Sequence, residues 1–287
     1  MLAKTLGPRG REASPSPRGT AEIRRWSVAL RRRILAAPRE AGRIHSIFKR
    51  ALNILWHDGG LISLHGPGPL AAPFAAALAS LPEAASLTVG SEVFRRDNRI
   101  HLGSLILDGE SAMLVDTRLY PTTEKPGLPF ASAIATAVAK VVPGLSSYRS
   151  RTARRQLADG IASGDARTFV TGACGLIGLG EGLTPAGDDC LVGALAVLHR
   201  FASPWLADHP EIRTEIATAL QDGTTAVGQN FILHALEGAF SEYILRLVTA
   251  SSDCDLHQAV RALAETGGTS GLDTLDGMHI TLEALLP

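Results

Sequence analysis

From Cys190 to Leu198 every residue of the chain is apolar or glycine, with no polar face at any helical spacing. A helix apolar all round has to lie inside a layer of other helices, so this stretch demands a helical region with a substantial core. It follows Gly178-Leu179-Gly180-Glu181-Gly182-Leu183-Thr184-Pro185-Ala186-Gly187-Asp188-Asp189, a glycine-rich loop ending in two adjacent carboxylates. Thr184 is a natural N-cap and Pro185 a natural first helical residue, since the missing proline N–H costs nothing where donors are unpaired. Asp188 and Asp189 then stand at the mouth of a buried helix. Carboxylates are seldom buried without partners, which predicts a bound ligand beside them.

The hydrophobic period divides the chain. Between residues 42 and 119 short apolar runs alternate with turn residues: Leu61–Leu64, Leu87–Val89, Ile100–Leu102, Ser104–Leu107 and Ala112–Val115, with Asp97-Asn98 and Asp108-Gly109 at hairpin positions. This predicts a small β-rich domain, barrel-like or sandwich-like, with a helix near Ile44–Asn53. Tyr120–Pro129, carrying three prolines and a glycine, reads as a linker. From 130 to 287 the period is helical, with helices expected near 131–142, 147–162, 185–201, 211–221, 224–249 and 256–265. The fold class is therefore α+β, a β domain followed by an all-α domain. Alternating βαβ units are absent, which argues against a dinucleotide-binding sheet.

Charge is uneven. Although the 28 basic and 28 acidic residues balance, the first 50 residues hold 13 Lys/Arg against three Asp/Glu, leaving an acidic body. Residues 1–41 are expected to be a basic, disordered leader, given Pro8, Pro15 and Pro17 among Gly, Ser and Arg, and deletion of residues 1–40 is expected to leave the fold intact. Such a leader is compatible with a transit peptide, and it does not by itself point to nucleic acid. No apolar run is long enough to span a membrane, so the cytoplasm is the expected location. Three cysteines without C-x-x-C spacing predict neither disulfides nor a zinc cluster, and Cys190 reads as a core residue.

The glycine loop lacks the Gly-Lys-Ser/Thr ending of a P-loop. Free N–H groups at Ala186 and Gly187 can still cradle an anion, with Gly180, Gly182 and Thr184 shaping the loop. Asp188 and Asp189 suit either a magnesium ion or a ligand that presents N–H donors, such as an amide or carbamoyl group. Complementing the helix dipole is the bland alternative. A second loop, Gly267 to Gly277, repeats the design with Thr269, Ser270 and Asp273, and the two loops can face one cleft. Asn230, His234 and Glu237 share one helix face and can extend the site. His45 and His65 stand beside turns, where a place at the domain interface is open to them.

Three segments together resemble a known bacterial family: His45 to Asn53, Gly178 to Asp189, and Gly268-Thr269-Ser270-Gly271-Leu272-Asp273. The family includes the AllH-type subunit of oxamate carbamoyltransferase, found with an FdrA-like protein and a further subunit. The resemblance runs from Gly42 to the C-terminus and departs from the family pattern at Cys190, Leu272 and Gly228-Gln229-Asn230. It implies carbamoyl transfer in purine or pyrimidine breakdown, where oxalurate and phosphate give oxamate and carbamoyl phosphate. Asp188 and Asp189 would orient the carbamoyl nitrogen or a magnesium ion, and the loop N–H groups would hold phosphate or a developing oxyanion. Two other readings stay open: a non-catalytic scaffold or effector-binding subunit, and a magnesium-dependent phosphotransferase.

Overall fold

The computed structural model describes residues 19–37, 39–82, 87–120, 128–142 and 148–287. In chain order the first part holds β1 (Gly19–Ser27), α1 (Val28–Ala36), β2 (Arg39–Ile47), β3 (Ala51–Trp56), β4 (Leu61–His65), β5 (Ala75–Leu78), β6 (Glu92–Arg96), β7 (Arg99–Leu102), β8 (Leu105–Asp108) and β9 (Met113–Val115). The strand order β5-β4-β3-β2-β6-β7-β8-β1, with β1 also paired to β5, closes eight strands into a barrel, and β9 adds to the far half of β1. β1 is the closing strand. It pairs antiparallel with β5; on its other side residues 19–22 run parallel to β8 and residues 25–27 parallel to β9. Alternation puts one face of each strand inside, Val93 and Arg95 on β6 and Ile100 and Leu102 on β7, around Ile23, Trp26, Ile54 and Trp56. Ser27 caps α1, which lays Leu30 and Ile34 on the same core. The inward Arg95 donates from Nη2 to Glu40 at 2.6 Å and from Nη1 to the Ile34 carbonyl at 2.8 Å, its guanidinium over the face of Trp56, while its buried Nε has no partner among the described residues.

Two expectations are overturned here. The segment Gly19 to Ala41 is no disordered leader: it supplies β1, α1 and the start of β2, because Ile23, Trp26, Leu30 and Ile34 carry a strand-then-helix apolar pattern that the surrounding arginines mask. Residues 44–53 form the β2–β3 hairpin rather than a helix, with a bulge between Ile44 and Ser46. Leu87–Val89 is not a strand, and residues 1–18 lie outside those described. Most of the expected linker, residues 121–127, also falls outside them, while Leu128 and Pro129 open the first helix of the next region.

That region comprises α2 (Leu128–Ala139), α3 (Tyr148–Ser163), α4 (Ala166–Leu176), α5 (Ala186–Phe201), α6 (Ser203–Asp208), α7 (Pro210–Gly223), α8 (Ala226–Leu236), α9 (Glu242–Val248), α10 (Asp253–Ala264) and α11 (Ser270–Leu285). The single helix expected over 224–249 is broken at Gly238, whose φ of +73° ends α8 before Ser241 caps α9. α5 is buried from Gly187 to Leu198 and crosses α11 almost backbone to backbone. At the crossing a Cβ on Gly193 would lie 2.0 Å from the Thr274 carbonyl oxygen, and one on Gly277 would lie 1.8 Å from that of Cys190. Gly277→Ala is therefore expected to cost about 3 kcal/mol through overpacking, lowering Tm by about 6–12 °C in a thermal melt. No described helix is long and apolar enough to cross a membrane.

The barrel and the helices meet through specific contacts. Arg25 forms a two-point ion pair with Glu242, which also takes the Leu70 N–H at 2.6 Å. Phe74 meets the edge of Phe231 at 4.9 Å, and Leu61, Leu70 and Val227 share one cluster with Val115 and Leu183. Leu183 belongs to the glycine loop, so this interface supports the candidate site from below.

Candidate functional site

The loop from Gly178 to Pro185 joins α4 to α5. Positive φ angles at Gly178, Gly180 and Gly182 set its course, and at Gly178 a Cβ would also lie 2.1 Å from the Gly223 carbonyl oxygen. α5 starts one residue later than the sequence suggests. Pro185 holds the N-cap position and Thr184 does not cap, because the Thr184 hydroxyl is 2.8 Å from that of Ser270. Gly187 is not a free donor either: its N–H bonds the Leu179 carbonyl at 2.8 Å, and a Cβ there would lie 2.0 Å from the Leu176 carbonyl oxygen. Gly187 packs the helix against its own loop.

Asp188 and Asp189 have separate surroundings. Asp188, 1% exposed, accepts the Gly178 N–H at 2.7 Å and the Thr224 hydroxyl, and its Oδ2 occupies the space a side chain at Gly228 would need. Burial raises its pKa while these two bonds oppose the rise. The carboxyl therefore clamps the end of α4, the start of α5 and the α7–α8 junction together. Asp189, 7% exposed, lies against Ser270 and Thr184 and near Asp273. Burial pushes its pKa up to about 8; the two hydroxyls work against that shift, and the neighbouring Asp273 and Asp188 add to it. Its Oδ2 is buried without a hydrogen-bond partner.

The second loop delivers Ser270, Asp273 and Asp276 from the first two turns of α11, so two helix N-termini far apart in sequence meet at Thr184 and Ser270. Thr269 occupies the N-cap position of α11 without a side-chain cap; its carbonyl accepts the Asp273 N–H at 2.9 Å. Asp273 and Asp276 are both buried, and Arg154 on α3 places Nη2 2.5 Å from Asp276 Oδ2. Cys190 sits behind these acids with its thiol pushed up to about 12 by burial, which removes it as a nucleophile.

The helix-face trio goes three ways. Asn230 bridges the two regions, accepting the Leu61 N–H at 3.3 Å and donating to the Gly59 carbonyl at 3.2 Å and that of Ala226 at 2.8 Å. His234 stacks near Phe74 with its pKa pushed down to about 4 by burial, and Glu237 pairs with Arg213 at the surface. His45 bonds Ser46, and His65 donates to the Gly66 carbonyl at 2.7 Å. Sequence reasoning missed Thr224, Gly228 and Arg154. Gly228 was legible only as a departure from the resembled pattern, and the other two carried no local signal.

Among the described residues no three His, Cys, Asp or Glu side chains gather as metal ligands, and Asp188 and Asp189 face different partners rather than one shared point. Surface depressions of about 460 Å³ between α2 and α10 and about 490 Å³ over β2 and β6 contain none of the loop residues.

Barrel, helical region and acid-lined loops together define an α+β protein that collects carboxyls and hydroxyls where two helices begin. Residues 23–115 match the AllH family N-terminal domain, and residues 176–282, which include both loops, match the family described as oxamate carbamoyltransferase subunit AllH. The chain belongs to the AllH family. No solved structure matches it.

Proposed function

We propose that this chain is one subunit of a carbamoyltransferase acting on a ureido acid in the cytoplasm, with partner subunits, an FdrA-like protein among them, completing the site. In the oxamate version oxalurate and phosphate give oxamate and carbamoyl phosphate, a step of purine or pyrimidine (allantoin) breakdown. The observation that carries this reading is Asp189, a buried carboxyl beside the hydroxyls of Thr184 and Ser270 and close to Asp273. A ureido or carbamoyl group has N–H donors for the acids and a carbonyl oxygen for the hydroxyls, so this donor and acceptor set suits it. Asp188 serves the site by holding the loop in place.

The test is phosphate-dependent formation of carbamoyl phosphate from oxalurate, by the chain alone and by the complex assembled with its partner subunits. Product from the complex alone is the expected result. Asp188→Asn, which puts an amide where two donors now converge, should cut that rate at least tenfold and lower Tm. No product from a complex shown to assemble overturns the reading. Calorimetric titration of the chain with oxalurate then decides for the scaffold alternative if no binding is seen, an alternative favoured by how little of Asp189 reaches the surface.

A further inference from the structure

We infer that Asp189 is the proton carrier of the transfer: it gives a proton to the nitrogen leaving the carbamoyl carbon and regains one from the incoming phosphate. The inference rests on the carbamoyltransferase reading and adds to it the identity of the acid.

Each buried acid of the cluster has a different set of partners. Asp188 accepts an N–H and a hydroxyl, and Asp276 has the Arg154 guanidinium. Among the described residues Asp189 has the hydroxyls of Ser270 and Thr184, which are themselves bonded to each other, and its Oδ2 is buried with no partner. Among the described residues no cation is placed against it. An ionised carboxylate in such a place carries an unpaid desolvation cost beside a second acid, whereas the neutral acid asks only for an acceptor. The charged groups acting on it are Asp188 on its own helix and Asp273 on α11, while Asp276 on α11 and Arg154 on α3, engaged with each other, stand around Cys190. The first turn of α8, Ala226 to Asn230, brings no titratable side chain, and the last turn of α4 brings only Cys174, whose thiol is held up by burial. These surroundings favour a proton on Asp189 and leave its buried Oδ2 without a hydrogen-bond partner among the described residues.

The step balances. A phosphate oxygen attacks the carbamoyl carbon of oxalurate, forming a C–O bond and a tetrahedral intermediate. The C–N bond to the oxamate nitrogen then breaks, its electron pair going to that nitrogen. An amide nitrogen is a poor leaving group unless protonated, and the Asp189 carboxyl supplies the proton. The proton of hydrogen phosphate returns to Asp189, leaving carbamoyl phosphate and oxamate.

Two measurements test this, one independent of substrate. Infrared difference spectra of the full chain, wild type minus Asp189→Asn, are expected to show a carboxylic-acid carbonyl band at pH 6 that disappears by pH 9.5. Absence of that band at pH 6 overturns the inference. In the assembled complex, kcat of the wild type should fall on an alkaline limb that Asp273→Asn moves to lower pH. Asp189→Asn should lose about 10²–10⁴-fold in kcat and show no such limb. A variant that keeps the wild-type rate and limb overturns the inference while the wild type still makes product. Failure of the wild type to make product removes the underlying reading instead, and the infrared band reports the proton in either case.

Discussion

A chain that begins at Ala41 is expected to show no cooperative unfolding of its barrel, whether followed by near-ultraviolet circular dichroism or by calorimetry. The deletion removes β1, whose ladders join β5 on one side to β8 and β9 on the other, so the closed sheet becomes an open one with two bare edges. It also empties the core of Ile23, Trp26, Leu30 and Ile34, all at or near zero exposure. At about 1.5–3 kcal/mol for each buried side chain, that loss of roughly 6–12 kcal/mol rivals the whole stability of a domain, about 5–15 kcal/mol. Arg25 goes as well, leaving Glu242 without its ion-pair partner at the junction with the helices. A sharp barrel transition in the truncated chain would show that β1 is dispensable, as the arginine-rich sequence alone suggested.

The second large effect is a dependence of stability on pH that runs opposite to that of a paired carboxylate. Asp189 in the folded chain has its pKa pushed up to about 8, far above the ordinary value of 3.8. The folded state therefore holds this proton more tightly than the unfolded chain does. The resulting stabilisation is complete below about pH 4 and is lost as pH rises through 8, at up to about 1.4 kcal/mol per pH unit. Asp188 and Asp276, also raised by burial, contribute with the same sign, so the wild-type melting temperature should fall steadily toward alkaline pH. Asp189→Asn removes one share of that fall. The variant is expected to gain on the wild type by several degrees between pH 5 and pH 9; parallel melting curves across that range would rule the effect out.

Local chemistry announces some of this molecule and conceals the rest. The apolar run through Leu198 and the glycines before it dictate a buried helix with acids at its mouth, and the same pattern of Gly, Thr, Ser and Asp marks the second loop. The change of period near Pro129 separates strands from helices. What eluded sequence reasoning depends on distant partners. Residues 44–55 space Ile44, Ile47, Phe48, Ala51, Leu52 and Leu55 as a helix would, and the β2–β3 turn at Lys49-Arg50 has none of the usual turn residues. Only the pairing of β2 with β6 and of β3 with β4 decides for strands. The different situations of Asp188 and Asp189 are equally hidden, because Thr224 at the α7–α8 junction and Gly228 on α8 adjoin one and Ser270 reaches the other from α11.

The closing role of β1 also sets an order of events during synthesis. Every strand it pairs with lies later in the chain: β5 ends at Leu78, β8 at Asp108 and β9 at Val115. As the chain emerges from the ribosome, Ile23 must wait for Leu78, 55 residues on, and Trp26 for Leu114, 88 residues on, before their ladders are complete. Arg25 waits longer still, for Glu242. Such distant pairings form slowly because the entropy of closing a long loop comes before any contact repays it. Folding of the barrel is thus bound to the completion of its last strand, and a nascent chain halted before Val115 exposes an apolar segment of the kind chaperones recognise.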